Sequence, residues 1–200
     1  MRSKIRIEDK EIDLAGLVKE IDEGLEFKEY VGKGDYGIVL KVTDHDNVYK
    51  LKINWANEVD GRTDTLEREY KTLEDLANKT GIVPKPIRLY DDAKCVWYNI
   101  KGKHAYLSEF IEGKPLSKLE KQSEISLIME LNDLIDKVHK AGYRFNNEAD
   151  LNPDNIILGR DGKLYLIDTM FLEPLKERMP IRYMTDRERY MRNSIIRRCT

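Results

Sequence analysis

Residues 150–168 read DLNPDNIILGRDGKLYLID, and this stretch decides the fold. Two short apolar runs flank Asp161-Gly162, a dipeptide that favours the two-residue turn of a β-hairpin. With the turn centred there, Asn155 lies directly opposite Asp168, with Cβ atoms roughly 4.5–5.5 Å apart. An amide oxygen beside a carboxylate suits Mg²⁺, which prefers oxygen ligands. The stretch therefore predicts that Asn155 and Asp168 bind magnesium.

Asp150 begins the same stretch, five residues before Asn155. A carboxylate at this spacing from a metal site could orient an incoming hydroxyl and accept its proton during phosphoryl transfer. Asp150, Asn155 and Asp168 also have ordinary structural interpretations, as a turn cap and two strand ends. The interpretation as a catalytic site rests on their conjunction with two motifs nearer the N-terminus.

The first of these motifs is glycine-rich, Gly32-Lys33-Gly34-Asp35-Tyr36-Gly37, and it joins two predicted strands, residues 25–31 and 38–42. A strand-turn-strand context favours a flap over phosphates rather than the strand-to-helix loop of a dinucleotide-binding fold. Glycines let backbone N–H groups approach phosphate oxygens closely. Taken alone, the motif is equally typical of a plain glycine-rich hairpin.

The second motif pairs a strand lysine with a helix carboxylate. In the predicted strand over residues 48–53, Lys50 and Lys52 share one face because side chains alternate. In the helix predicted after it, Glu69 falls on the buried stripe of leucines. A buried carboxylate is costly unless a cation meets it. We expect Lys50 to be that cation and also to bind nucleotide phosphates.

Composition limits the classes of protein to consider. The chain has 200 residues, 40% of them hydrophobic and 36% charged, with a formal net charge of −2, which predicts one globular domain or two small lobes. The balanced charge argues against a nucleic-acid binder. Apolar runs are too short for a membrane span or a signal peptide. Cys95 and Cys199 form no CxxC motif, so reduced cytosol is the expected compartment.

Residues 25–172 together resemble the protein-kinase superfamily, with the motifs in the same order. Asp150 matches the catalytic aspartate, Asn155 the metal-binding asparagine and Asp168 the aspartate of the DFG motif. Lys50 and Glu69 match the catalytic ion pair, and residues 108–113 resemble the hinge that binds adenine through its backbone. The resemblance implies nucleotide binding by Gly32, Gly34, Gly37, Val39, Val48, Lys50, Ser108, Glu109 and Ile111.

The resemblance implies an α+β fold with two protein-kinase-like lobes. The expected division is an N-terminal extension over residues 1–24, a β-rich N-lobe over 25–112 and a strongly truncated helical C-lobe over 113–200. Two departures from the family concern regulation. Glu148-Ala149 replaces the usual His-Arg, and Asp168-Thr169-Met170 replaces DFG, so control through a phosphorylated activation loop or a phenylalanine switch is not expected.

The expected activity is transfer of the γ-phosphoryl group of ATP, with Mg²⁺, to a serine or threonine of a protein substrate. A chain this short is similar to the HopBF-type bacterial effector kinases, which implies a host protein such as a chaperone as partner. We expect a monomer that binds neither nucleic acid nor membrane, in the cytoplasm or, for an effector, in the host cytoplasm. Two alternatives stay open, a small-molecule phosphotransferase of the aminoglycoside or choline kinase type and a nucleotide-binding pseudokinase.

Overall fold

The structure is a computed structural model that describes residues 4–7, 10–34, 37–54, 65–94, 96, 101–102, 104–119, 124–145, 151–170, 172–175 and 186–199. Within these residues the fold is α+β, as the sequence predicts. Two 3₁₀ turns, Leu116–Lys118 and Pro153–Asn155, accompany the regular elements. In chain order the strands and helices are β1 (Lys4–Ile7), β2 (Lys10–Asp13), α1 (Leu14–Ile21), β3 (Glu26–Lys33), β4 (Gly37–Asp44), β5 (Asn47–Asn54), α2 (Thr65–Thr80), β6 (Pro86–Tyr90), β7 (Ala93–Lys94), β8 (Lys101–Gly102), β9 (Ala105–Glu109), β10 (Gly113–Pro115), α3 (Glu124–Lys140), β11 (Tyr143–Arg144), β12 (Ile156–Gly159), β13 (Leu164–Leu166), β14 (Glu173–Pro174) and α4 (Asp186–Cys199).

A five-stranded antiparallel sheet, in the order β3-β4-β5-β9-β6, forms the largest layer. Leu40, Leu51 and Leu107 are cross-strand neighbours on one face of it. Helix α1 packs on that face through Leu14 and Val18, which are fully buried. Each such side chain contributes roughly 1.5–3 kcal/mol when it leaves water. This apolar face leaves the opposite face of the sheet for polar side chains.

The N-terminal segment differs from its prediction. The sequence predicts a helix over residues 12–21, whereas β2 runs to Asp13 and α1 begins at Leu14. Strands β1 and β2 form a hairpin in which Ile5 and Ile12 are partners. Charged and apolar residues alternate strictly in β1, but each strand has only four residues and β2 contains a single apolar residue, Ile12, so the hairpin was not predicted. The sequence also predicts a strand over residues 95–100, but nearly all of these residues lie outside the described part of the chain.

The C-terminal half combines helices with a small sheet. Strand β12 is the centre of the sheet β10-β12-β13. In the described parts of the chain, no helix is long and apolar enough to cross a membrane. Helix α3 buries the stripe that its sequence predicts: Leu127, Leu131, Leu134, Ile135 and Val138.

Contacts divide the chain into two compact units. The first comprises Met1–Tyr70 and Pro86–Phe110, and the second Lys71–Lys85 and Ile111–Thr200. Residues 1–24, expected to be a separate extension, fall within the first unit. The boundary lies two residues before the 112/113 division that the sequence suggests, and most of α2, from Lys71 onward, belongs to the second unit.

Candidate active site

The glycine-rich segment forms the β3–β4 hairpin. The N–H of Gly34 donates to the carbonyl oxygen of Gly37 at 2.9 Å. A Cβ on Gly37 would overlap the carbonyl oxygen of Ile53 in β5, so close approach of two strands requires this glycine. A Cβ on Gly32 or Gly34 would meet none of the described atoms within 4 Å. Gly32 and Gly34 therefore border open space, whereas Gly37 has a structural reason to be glycine.

A buried ion pair lies on the polar face of the same sheet. Nζ of Lys52 is 2.8 Å from both carboxylate oxygens of Glu69, which projects from α2. The two side chains are 8% and 1% exposed. The hydroxyl of Tyr106 in β9 donates to Oε1 of Glu69 at 2.9 Å. Several hydrogen bonds thus offset the cost of removing the carboxylate from water.

The pairing of Glu69 with Lys50, predicted from the sequence, is wrong by two residues. Lys50 is also buried, but its Nζ lies 5.6 Å from the centroid of the Tyr106 ring. Alternation assigns Lys50 and Lys52 to the same face and cannot decide which of them the helix carboxylate will meet. The register decides it, because Lys52 is the cross-strand partner of Tyr106, the residue whose hydroxyl also holds Glu69.

Two further buried polar residues, neither of them predicted from the sequence, continue this face. Asn54 follows Lys52 by two positions, and its backbone N–H donates to the carbonyl oxygen of His104 at 2.9 Å. Within the described structure, Oδ1 of Asn54 and Nε2 of His104 have no hydrogen-bond partner. Burial lowers the pKa of His104. The only sequence signal for Asn54 and His104 is the alternation of side chains, because each continues the polar side of its strand.

The remaining residues expected to bind the nucleotide have varied surroundings. Val39 is the cross-strand partner of Lys52 and is half-buried. Val48 is exposed at the start of β5, and Ser108 is fully buried opposite Lys50. Glu109 is exposed at the end of β9. Ile111, which begins the longer segment of the second unit, is half-buried.

The hairpin of β12 and β13 has a register one residue away from the predicted one. Ile156 pairs with Leu166, so Asn155 is level with Ile167 and not with Asp168. The loop has three residues, closed by a hydrogen bond from Gly159 N–H to Lys163 O and by Gly162 at φ +80°. A three-residue loop with glycine in the left-handed position is another common hairpin connection. The Asp161-Gly162 dipeptide fits either loop.

Asn155 and Asp168 lie just beyond the end of this ladder, one residue out of register with each other. The N–H of Ile167 donates to the carbonyl oxygen of Asn155 at 2.9 Å, which places Asp168 one residue beyond that bond. Both side chains are partly exposed. The backbone N–H of Met170 donates to Oδ1 of Asp168 at 3.1 Å and orients the carboxylate.

The loop before β12 is also fixed. Asn152 caps the 3₁₀ turn by accepting from the N–H of Asp154, and Ser117 donates to the Asp154 carboxylate. Leu151 and Pro153 are buried and anchor the segment. An amide oxygen and a carboxylate on such a framework fit the oxygen preference of Mg²⁺. Asp150, the predicted catalytic residue, lies outside the described residues.

No protein-family model matches the chain, and no curated protein matches it either. Within the described residues, no group of three or more His, Cys, Asp or Glu side chains could hold a metal ion. The functional inference therefore starts from the glycine hairpin, the Lys52–Glu69 pair and the Asn155–Asp168 hairpin.

Proposed function

We propose that the chain is an ATP- and Mg²⁺-dependent protein kinase, of the two-lobed kind that its sequence resembles. It would transfer the γ-phosphoryl group to a serine or threonine hydroxyl of a protein. The observation that carries the proposal is the buried ion pair of Lys52 and Glu69. It occurs on a sheet whose first hairpin is the glycine-rich one.

Stability alone does not explain a buried ion pair, because apolar residues of similar size often give equal or greater stability. In protein kinases, a strand lysine held by a helix glutamate binds the nucleotide phosphates, and a glycine-rich hairpin covers them. Lys52 and Glu69 have the strand and helix positions, the burial and the bidentate contact that this role requires. We therefore assign the phosphate-binding role to Lys52 in place of Lys50.

The other residues take complementary roles in this proposal. Open space adjoins Gly32 and Gly34, so phosphate oxygens would approach this hairpin and bind its backbone N–H groups other than that of Gly34, which donates to Gly37. Asn155 and Asp168 would hold Mg²⁺, which neutralises charge on the triphosphate when bound. Asp150 would orient the acceptor hydroxyl, a role that rests on the sequence resemblance. Positioning and electrostatics supply most of the catalysis in such enzymes.

The test is phosphate transfer from γ-labelled ATP to three sets of acceptors. These are a bacterial lysate, a eukaryotic lysate with purified cytosolic chaperones, and a panel of aminoglycosides, choline and amino sugars. We expect labelled protein at serine or threonine. Label in the eukaryotic lysate alone would support a host target.

Asp168→Ala is the inactive variant, and Asp136→Ala is its control, because Asp136 is an exposed aspartate on α3 whose loss removes the same charge without touching this hairpin. We expect transfer to be lost in the first and kept in the second. Transfer to small molecules alone would replace the proposal with a small-molecule phosphotransferase. ATP binding without any transfer would identify a pseudokinase, and full activity of Asp168→Ala would contradict the metal assignment.

A further inference from the structure

A cavity of about 410 Å³ lies within the second unit. It is lined by the end of α2 and the residues just after it, by one face of α3, and by the turn between β12 and β13. None of the residues that line it is assigned to the proposed kinase site. Its volume falls within the roughly 300–1,000 Å³ of pockets that hold small molecules. The chemistry of its lining therefore indicates which ligand it could take.

Part of the lining is apolar. Ile82, Leu134 and Leu164 come from the three different parts of the wall, and each is more than nine-tenths buried. Gly81 and Gly162 border the same cavity with positive φ, and a Cβ on either would meet no described atom within 4 Å. The cavity therefore offers apolar contacts and leaves room beside both glycines.

Both lysines that line the cavity already have acidic partners. Nζ of Lys137 lies 2.6 Å from the carboxylate of Asp133, one turn earlier in α3. Nζ of Lys163 lies 3.3 Å from the carboxylate of Asp161 in the hairpin turn. These two pairs leave little net charge of either sign at the cavity, so the remaining charged residue decides its electrostatic character.

That residue is Glu130, which is half-buried on the α3 face of the cavity. Among the described residues its carboxylate has no cationic partner, and it accepts only the hydroxyl of Ser126, at 3.3 Å. Helix α2 ends at Thr80 beside the same cavity, and the C-terminus of a helix carries partial negative charge. Lys79, in the last turn of α2, is paired with Asp75. The cavity thus combines an apolar lining with a local excess of negative charge.

We propose that this cavity binds a small organic ammonium ion and that Glu130 is the residue that contacts its positive charge. The inference is independent of the proposed kinase function, because it uses no residue of the nucleotide or metal site. A hydrogen bond between an ammonium group and a carboxylate is about twice as strong as a neutral one. A hydroxyl in the same place would bind more weakly, and a second carboxylate would be repelled.

The test uses three probes that share an indolylethyl body and differ in the polar group: tryptamine, tryptophol and indolepropionate. Binding to the full chain is followed by NMR titration, with the backbone amide signals of Gly81 and Gly162 as reporters. These two residues border the cavity from different elements, so a ligand inside it should shift both signals.

Three variants test the role of Glu130. Glu130→Gln removes the charge and keeps the size of the side chain, and Glu130→Lys reverses the charge. Asp136→Asn is the matched control, since Asp136 is an exposed acid of α3 that does not line the cavity.

In wild type we expect tryptamine to shift both glycine signals with a Kd on the order of 1 mM, as for other ligands of this size. It should bind about fivefold more tightly than tryptophol, and indolepropionate should bind most weakly. Glu130→Gln should remove the preference for tryptamine over tryptophol. Glu130→Lys should favour indolepropionate, and Asp136→Asn should behave as wild type.

Four results would overturn the proposal. Equal affinities of wild type for tryptamine and tryptophol would do so, as would a preference for tryptamine that survives in Glu130→Gln. Loss of that preference in Asp136→Asn would show a general effect of net charge and no specific contact with Glu130. Unshifted signals of Gly81 and Gly162 at saturating tryptamine would show that the cavity does not hold the ammonium ion.

Discussion

Lys52 and Lys50 provide an internal comparison at the scale of single residues. Both are buried on one face of β5, but Lys52 contacts both carboxylate oxygens of Glu69, and Lys50 lies against the ring of Tyr106. We predict that Lys52→Met lowers kcat/KM for ATP at least 100-fold, whereas Lys50→Met lowers it less than tenfold. Steady-state kinetics on the two purified variants would measure this. Equal losses would contradict the assignment of Lys52.

Stability and activity can be separated at this pair. Lys52→Met alone removes the lysine from the buried Glu69 carboxylate, and breaking such a buried ion pair costs about 3–5 kcal/mol. The double variant Lys52→Met with Glu69→Met replaces both charges with apolar side chains, so we predict recovery of most of that stability. Denaturant unfolding would show the recovery. Kinase activity should stay absent, and its return in the double variant would show that the pair has only a structural role.

His104 predicts a dependence of stability on pH. Burial lowers its pKa in the folded state, and the imidazole of the unfolded chain titrates near its ordinary value of about 6.5. Below that pH the unfolded state binds a proton that the folded state does not, so the free energy of unfolding decreases as pH falls. We predict that His104→Phe reduces this loss between pH 7 and pH 5. The free energy of unfolding would be measured against pH for both proteins, and an equal decrease in wild type and variant would contradict the prediction.

At the scale of elements, the turn of the β12–β13 hairpin sets the position of Asp168. Gly162 has φ +80°, a conformation that costs a residue with a side chain about 1–2 kcal/mol. We predict that Gly162→Ala lowers the free energy of unfolding by that amount, measured as a shift in the urea midpoint. Gly34→Ala is the matched control, because a Cβ there meets no described atom within 4 Å. An equal loss in both variants would show that the turn conformation is not the cause.

The sequence identifies elements better than it identifies which residues meet. The stripe of α3 and the polar face of β5 follow from spacing, because apolar side chains recur on one face of each element. The Lys52–Glu69 pair could not be predicted from spacing, since Lys50 and Lys52 are two residues apart on a strand and share a face. The register of β12 and β13 did not follow either, because one glycine-containing turn sequence fits loops of two or three residues. Contacts between elements depend on register, which periodicity leaves open.

At the scale of the whole molecule, each unit buries a carboxylate that an apolar residue could replace. In the first unit Lys52 holds Glu69, and in the second His139 contacts Glu188. Each contact holds a helix carboxylate in a fixed orientation against a residue of another element.

Ligand binding to the proposed site should stabilise the whole chain. ATP with Mg²⁺ at 100 times its Kd contributes about 2.7 kcal/mol, provided that it binds only the folded state. For a protein of 200 residues this corresponds to a rise of roughly 5–10 °C in the thermal midpoint.

We predict that Mg²⁺ adds to the effect of ATP in wild type. The variant Asp168→Ala should lose the contribution of Mg²⁺, and the double variant Lys52→Met with Glu69→Met should lose most of the contribution of ATP. Differential scanning fluorimetry with ATP, Mg²⁺ and both would separate these contributions. A wild-type midpoint that does not respond to ATP with Mg²⁺ would contradict the nucleotide site, and a full Mg²⁺ response in Asp168→Ala would place the metal elsewhere.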